Sequence, residues 1–256
     1  MMKFLKELKS RSKPFFYFGI INLISAIICI PLILLSDIQV LGINAWIKPF
    51  KFFVSSVIFC WSMGWYLSYL KKPRTALIYS WVVILVFTFE NVYIFMQASK
   101  GELSHFNVSS AFHGLMFAAM GIAISIMTLW TAYIAILFFI NKLPDIPASY
   151  KWGIRFGIVA FVIFAFEGGM MGANLAHTVG APDGGPGLPL VNWSTQFGDL
   201  RIAHFAGMHA LQVFPIVGFY VIRKSAAQLI FMFLYVAACF TILYQALSGS
   251  PLIGIG

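Results

Sequence analysis

Seven stretches of this chain stay apolar for about twenty residues or more before a polar segment interrupts them: 15–36, 52–70, 76–98, 109–140, 153–176, 203–222 and 226–247. About 20 apolar residues in a helix suffice to cross the hydrocarbon core of a bilayer. Lipid offers no partner to an unpaired backbone amide, so each run is predicted to be a helix. The fourth run is long enough to tilt, kink or project beyond the bilayer. The pattern therefore predicts an all-α, polytopic membrane protein with seven transmembrane helices in a single transmembrane domain, 1–256. The first run exceeds the ~7–15 residues of a signal-peptide core and no A-x-A site follows it, so it is expected to remain as a span.

The longest polar interruption, 177–202, reads HTVGAPDGGPGLPLVNWSTQFGDLRI. Its glycines and prolines predict a structured, turn-rich outer loop rather than a helix.

Composition agrees with the pattern: 61% of the 256 residues are hydrophobic and 10% charged, against about 25% charged in a soluble domain. The net charge of +9 sits in short clusters between apolar runs. That distribution speaks for membrane orientation and against a nucleic-acid partner. With the N-terminus in the cytoplasm, 13 of the 17 Lys and Arg residues fall inside; Lys48, Lys51, Lys100 and Arg201 remain outside. The expected topology is N-terminus inside and C-terminus outside, in the plasma (inner) membrane. Cys29, Cys60 and Cys239 lie far apart in apolar runs, which suggests neither a disulfide framework nor a thiolate metal site.

This topology puts all five histidines at the outer side: His105, His113, His177, His204 and His209. Glu90 and Glu167 fall in the outer halves of their spans, with Gln97, Asn174, Gln196, Gln212 and Gln245 at a similar level. Ionisable residues inside a membrane are costly and mark function by default. Such one-sidedness therefore predicts an extracytoplasmic-side site.

Two segments of the chain correspond. Phe89-Glu90 and Gln97 match Phe166-Glu167 and Asn174 at an offset of 77 residues, and His113 matches His204 at an offset of 91. An insertion around Pro182–Pro189 accounts for the difference. Spans three–four and five–six are thus read as repeated helical hairpins, each contributing a Glu and a His.

On span six, Arg201, His204 and Gln212 share a stripe while His209 points elsewhere, so the two imidazoles are not expected to share one ion. Imidazoles on separate helices are the usual means of holding haem iron in a bundle. The leading expectation is haem, with His113, His177, His204 and His209 as candidate iron or metal ligands. Lys48, Lys51, Arg201 and Gln212 are candidate cofactor-binding residues, the cations suiting propionates. Met116, Met120, Met170, Met171 and Met208 offer soft apolar walls. Glu90 and Glu167 are candidate catalytic carboxylates of an oxidoreductase exchanging electrons with quinone or a redox protein. A non-haem site for iron, copper, manganese or zinc is a second expectation. A non-enzymatic transporter or assembly factor for a lipophilic or anionic ligand is a third. Hydrolysis and nucleotide chemistry are not indicated, since no G-x-S-x-G, P-loop or G-x-G-x-x-G occurs.

The segment Glu167-Gly-Gly-Met-Met-Gly-Ala-Asn174, the Gly/Pro loop, and Gln196-Phe197 leading to Arg201-Ile-Ala-His204 resemble a hairpin of the haem A synthase family. The likeness covers residues 166–212. It implies repeated helical hairpins with haem at the outer face, His204 as an axial ligand and Glu167 as a catalytic or structural carboxylate. The chain departs from the family in having Arg201 three residues before His204 rather than an adjacent His-Arg pair. It also has seven spans rather than eight.

Overall fold

The computed structural model describes residues 2–254. Its helices are α1 (Met2–Arg11), α2 (Lys13–Leu35), α3 (Ile47–Leu67), α4 (Pro73–Lys100), α5 (Ala111–Ile140), α6 (Ala148–Asn174), α7 (Leu200–Tyr220) and α8 (Ser225–Leu247). Helices α2 to α8 are the seven that are long and apolar enough to cross a membrane. Among the described residues, strand is confined to two-residue pairs: β1 (Gln39–Val40) with β2 (Ile43–Asn44), and β3 (Thr178–Val179) with β4 (Gly198–Asp199). Large apolar side chains point outward from the spans, Leu34 being 76%, Leu85 67% and Phe233 73% exposed. In water that surface would be an aggregation liability; in lipid it faces its own kind.

The chain divides into two compact units, Met1–Met127 and Thr128–Gly256, with the boundary inside α5. A hydropathy pattern cannot place such a boundary, because it falls within one uninterrupted apolar run.

In the first unit, α1 is an amphipathic helix too short to span. Leu8 is fully buried and Lys3, Lys6 and Lys9 are exposed. Phe4 stacks on Trp65 at 5.4 Å, the Arg11 guanidinium lies 4.1 Å above the Trp65 ring, and Arg11 Nη1 donates to Ser68 Oγ at 2.9 Å. The helix is thereby fixed to the C-terminal end of α3, an arrangement suited to the polar interface. Deeper in the unit, Asn91 Nδ2 donates to Asn22 Oδ1 at 2.9 Å and to Ser56 Oγ at 3.0 Å, joining α4 to α2 and α3. Interhelical amide bonds of this kind tie membrane helices together where the hydrophobic effect gives no preference.

In the second unit, α6 and α7 form a close antiparallel hairpin. A methyl group on Gly153 would lie 2.6 Å from the Phe214 carbonyl oxygen, and one on Gly157 3.0 Å from that of Ala210. Small residues let the two backbones approach to this distance. Pro215 lies within α7 there, and Gln228 Nε2 on α8 donates to the Phe214 carbonyl at 2.8 Å. Tyr235 of α8 donates to the Ala206 carbonyl at 2.8 Å, holding the third helix of the unit against α7.

Candidate functional site

The polar residues of the second unit gather where α6 ends and α7 begins. The connecting loop is ordered by two carboxylates that the sequence reading did not single out. Asp199 caps α7, accepting from Arg201 N at 3.0 Å, and also accepts from Ser194 N at 2.7 Å. It takes two further bonds from the Arg201 side chain, Nε to Oδ1 at 2.9 Å and Nη2 to Oδ2 at 2.5 Å; Arg201 Nη2 also donates to the Asn192 carbonyl. Arg201, expected as an anion-binding residue, is thus the clasp of the loop. An Asp immediately before a helix is an N-cap signal, and it was there to be found.

Asp183 holds the other end. Its carboxylate accepts from His177 Nδ1 at 2.6 Å and from the backbone amides of His177 and Thr178 at 3.0 Å. Burial alone would raise the Asp183 carboxyl. The hydrogen bond and charge of His177, with the backbone donors and Thr178, overcome it and hold the group well below the usual carboxylate range. With β3 paired to β4 across Thr178 and Asp199, the loop is built rather than slack.

Beneath it, Glu167 on α6 meets His204 on α7, Oε2 to Nδ1 at 3.2 Å. The distance is that of an ion pair, but the atoms are not aligned as a hydrogen bond. Both Glu167 oxygens and His204 Nδ1 are buried without a hydrogen-bond partner. A small turn of the ring would bring the two into hydrogen-bond alignment. The Glu167 side chain is 5% exposed and that of His204 24%, so the pair sits at the margin of the packed interior. His204 Nε2 has no partner among the described residues. Gly168 makes the contact possible: a methyl there would lie 2.7 Å from His204 Cε1. Phe164, Ala203, Ala206 and Met208 pack in one apolar cluster on the same two helices.

His209 belongs to a different set. Its Nδ1 pairs with Gln212 Oε1 at 3.2 Å and its ring lies 4.3 Å from that of Phe205. The two histidines of α7 therefore serve separate surroundings, as helical geometry requires. Met171 is buried and Met170 is 38% exposed, so those two neighbours do not line one wall.

In the first unit, His113 at the start of α5 is enclosed by polar groups. Nδ1 lies 3.1 Å from Tyr93 Oη and 3.5 Å from Gln97 Nε2, and Nε2 lies 3.4 Å from Glu102 Oε2. Glu90 is buried in α4 and makes no ion pair or hydrogen bond among the described residues. The matched pairs thus divide one to each unit, yet only Glu167 meets its histidine. Lys48 and Lys51 stand in the first turns of α3, and Met120 is buried in α5. Among the described residues, no three His, Cys, Asp or Glu side chains come together as a metal ion would require.

Comparison with protein-family models, with curated proteins and with solved structures finds no match to this chain.

Proposed function

We propose that this multi-pass membrane protein binds haem in its second unit, with His204 as an iron ligand and Glu167 as the carboxylate that orients it. The observation carrying this reading is the place of His204: its Nδ1 lies 3.2 Å from Glu167 Oε2, and its Nε2 has no partner among the described residues. Metal-binding histidines characteristically engage a carboxylate through their second ring nitrogen, which fixes the tautomer and raises the basicity of the first. Donor number favours haem over a bare ion. A protein-bound ion takes three or more side-chain ligands, whereas a porphyrin brings its own nitrogens and asks the chain for one or two. The likeness of residues 166–212 to the haem A synthase family points the same way.

The surroundings fit such a group. Gly168 leaves room for the imidazole itself, the neighbouring cluster is apolar, and the Glu167 oxygens lack hydrogen-bond partners among the described residues. Bound haem supplies one-electron chemistry, and quinone or a redox protein is the fitting partner. The chain's own work would be to hold iron through His204, to orient the imidazole through Glu167 and to order the adjoining loop through Asp183 and Asp199. We place this end on the extracytoplasmic side, following the distribution of Lys and Arg.

A second reading rests on the same pair. A carboxylate and an imidazole this close can exchange a proton without any metal, as in a membrane proton pathway. Purification from cells supplied with a haem precursor separates the two. The haem reading expects a Soret band and a stoichiometric pyridine haemochrome; their absence contradicts it and leaves the proton pathway.

A further inference from the structure

A second polar feature lies in the second unit, away from the Glu167–His204 pair. Between the end of α5 and the first turns of α6 is a cleft of about 480 Å³ whose polar lining comes from Asn141, Lys142, Asp145, Lys151 and Arg155. That volume is within the ~300–1,000 Å³ usual for small-ligand clefts.

Its charge is unbalanced. Lys142, Lys151 and Arg155 converge on it with Asp145 as the one carboxylate in the lining, and none of the three cations has an ion pair among the described residues. Arg155 is positioned rather than loose: Nε donates to the Phe138 carbonyl at 2.9 Å, and the guanidinium lies 4.9 Å from the Trp152 ring and 5.5 Å from that of Phe139. Its terminal nitrogens have no partner among the described residues. Lys151 stands in the opening turns of α6, where the helix end adds partial positive charge. Three cations against one carboxylate leave the lining with a net positive charge, which a bound anion would offset. Aromatic rings beside the arginine and apolar spans on either side of the loop are features of the headgroup region.

We propose that this cleft binds a phosphate group, the chemistry shared by an anionic lipid headgroup and free phosphate. Basic pockets at the ends of membrane helices hold lipid phosphates in this manner, and the arginine's fixed planar fork suits phosphate oxygens.

Native mass spectrometry of the full chain in detergent tests the site, with phosphatidylglycerol, phosphatidylcholine or inorganic phosphate added. The expected result is retention of phosphatidylglycerol over phosphatidylcholine, with about thirtyfold weaker binding when Lys142→Gln and Lys151→Gln are combined. Asp145 is exposed, so Asp145→Asn leaves packing alone and should strengthen binding by about fivefold. If inorganic phosphate displaces the lipid at equal concentration, with the same residue dependence, the site takes free phosphate; if it does not, the lipid is the ligand. Phosphatidylglycerol binding unchanged in both the lysine pair variant and Asp145→Asn overturns the proposal.

Discussion

The imidazole of His204 is held between a carboxylate and a glycine, and each can be altered separately. Gly168→Ala would set a methyl group 2.7 Å from Cε1, so the ring must swing off Glu167. Overpacking of this kind costs about 1–3 kcal/mol. Thermal unfolding in detergent should show that loss, and haem binding should weaken with it; an unchanged melting profile and spectrum would mean the ring has no fixed place.

Asp183 makes a prediction about acid. Its folded carboxyl lies below the ordinary value, so it contributes stability that is present above the unfolded pKa of about 3.9. That contribution is lost as pH falls through the lower folded value. Hydrogen exchange at His177 and Thr178 should therefore speed up at low pH in the wild type. In Asp183→Asn it should already be fast at neutral pH.

Glu167 and His204 were both legible as candidates because ionisable residues are rare in apolar runs. Their contact was not legible: 37 positions separate them, and only the packing of α6 on α7 closes that gap. Glu102, Asp183 and Asp199 escaped notice because acidic residues in loops look like ordinary solvated surface until their partners are known.

At the level of helices, the seven spans were readable almost entirely from hydropathy. Two starts were read late: α3 begins at Ile47 and α6 at Ala148, five residues before the apolar runs assigned from sequence. The first turns of membrane helices extend into the polar interface, where Lys48, Lys51 and Lys151 can stand without entering lipid. Helix α1 was missed because a ten-residue basic segment carries too few apolar positions to stand out; its apolar face shows only once Leu8 is buried and Phe4 stacks on Trp65 of α3. The α6–α7 hairpin depends on backbone approach, so Gly153→Ala, which meets an immovable carbonyl at 2.6 Å, should destabilise the second unit by about 1–3 kcal/mol. Denaturant unfolding followed by α6 and α7 labels would register it, and wild-type stability would show that the helices are not so closely packed.

For the whole molecule, the distribution of basic residues predicts which ends face which compartment. Single cysteines placed at Gly185 and at Lys142, in a background without the three native cysteines, should differ in labelling by an impermeant maleimide in intact cells. Gly185 is expected to react from outside and Lys142 only after permeabilisation; the reverse would invert the topology and move the site to the cytoplasmic face. The gathering of the histidines and glutamates at one expected side of the membrane was the functional signal strongest in the sequence. The division into two units was invisible there, and with it the fact that His113 and His204 belong to different ones.

Haem ligation by His204, with Glu167 orienting the ring, is tested most directly by the optical absorption spectrum of the purified protein, reconstituted with haem, in wild type and in His204→Ala. The wild type should show a Soret band that is lost or shifted to that of free haem in His204→Ala, with helical content unchanged by circular dichroism. Identical spectra in the two proteins would contradict it.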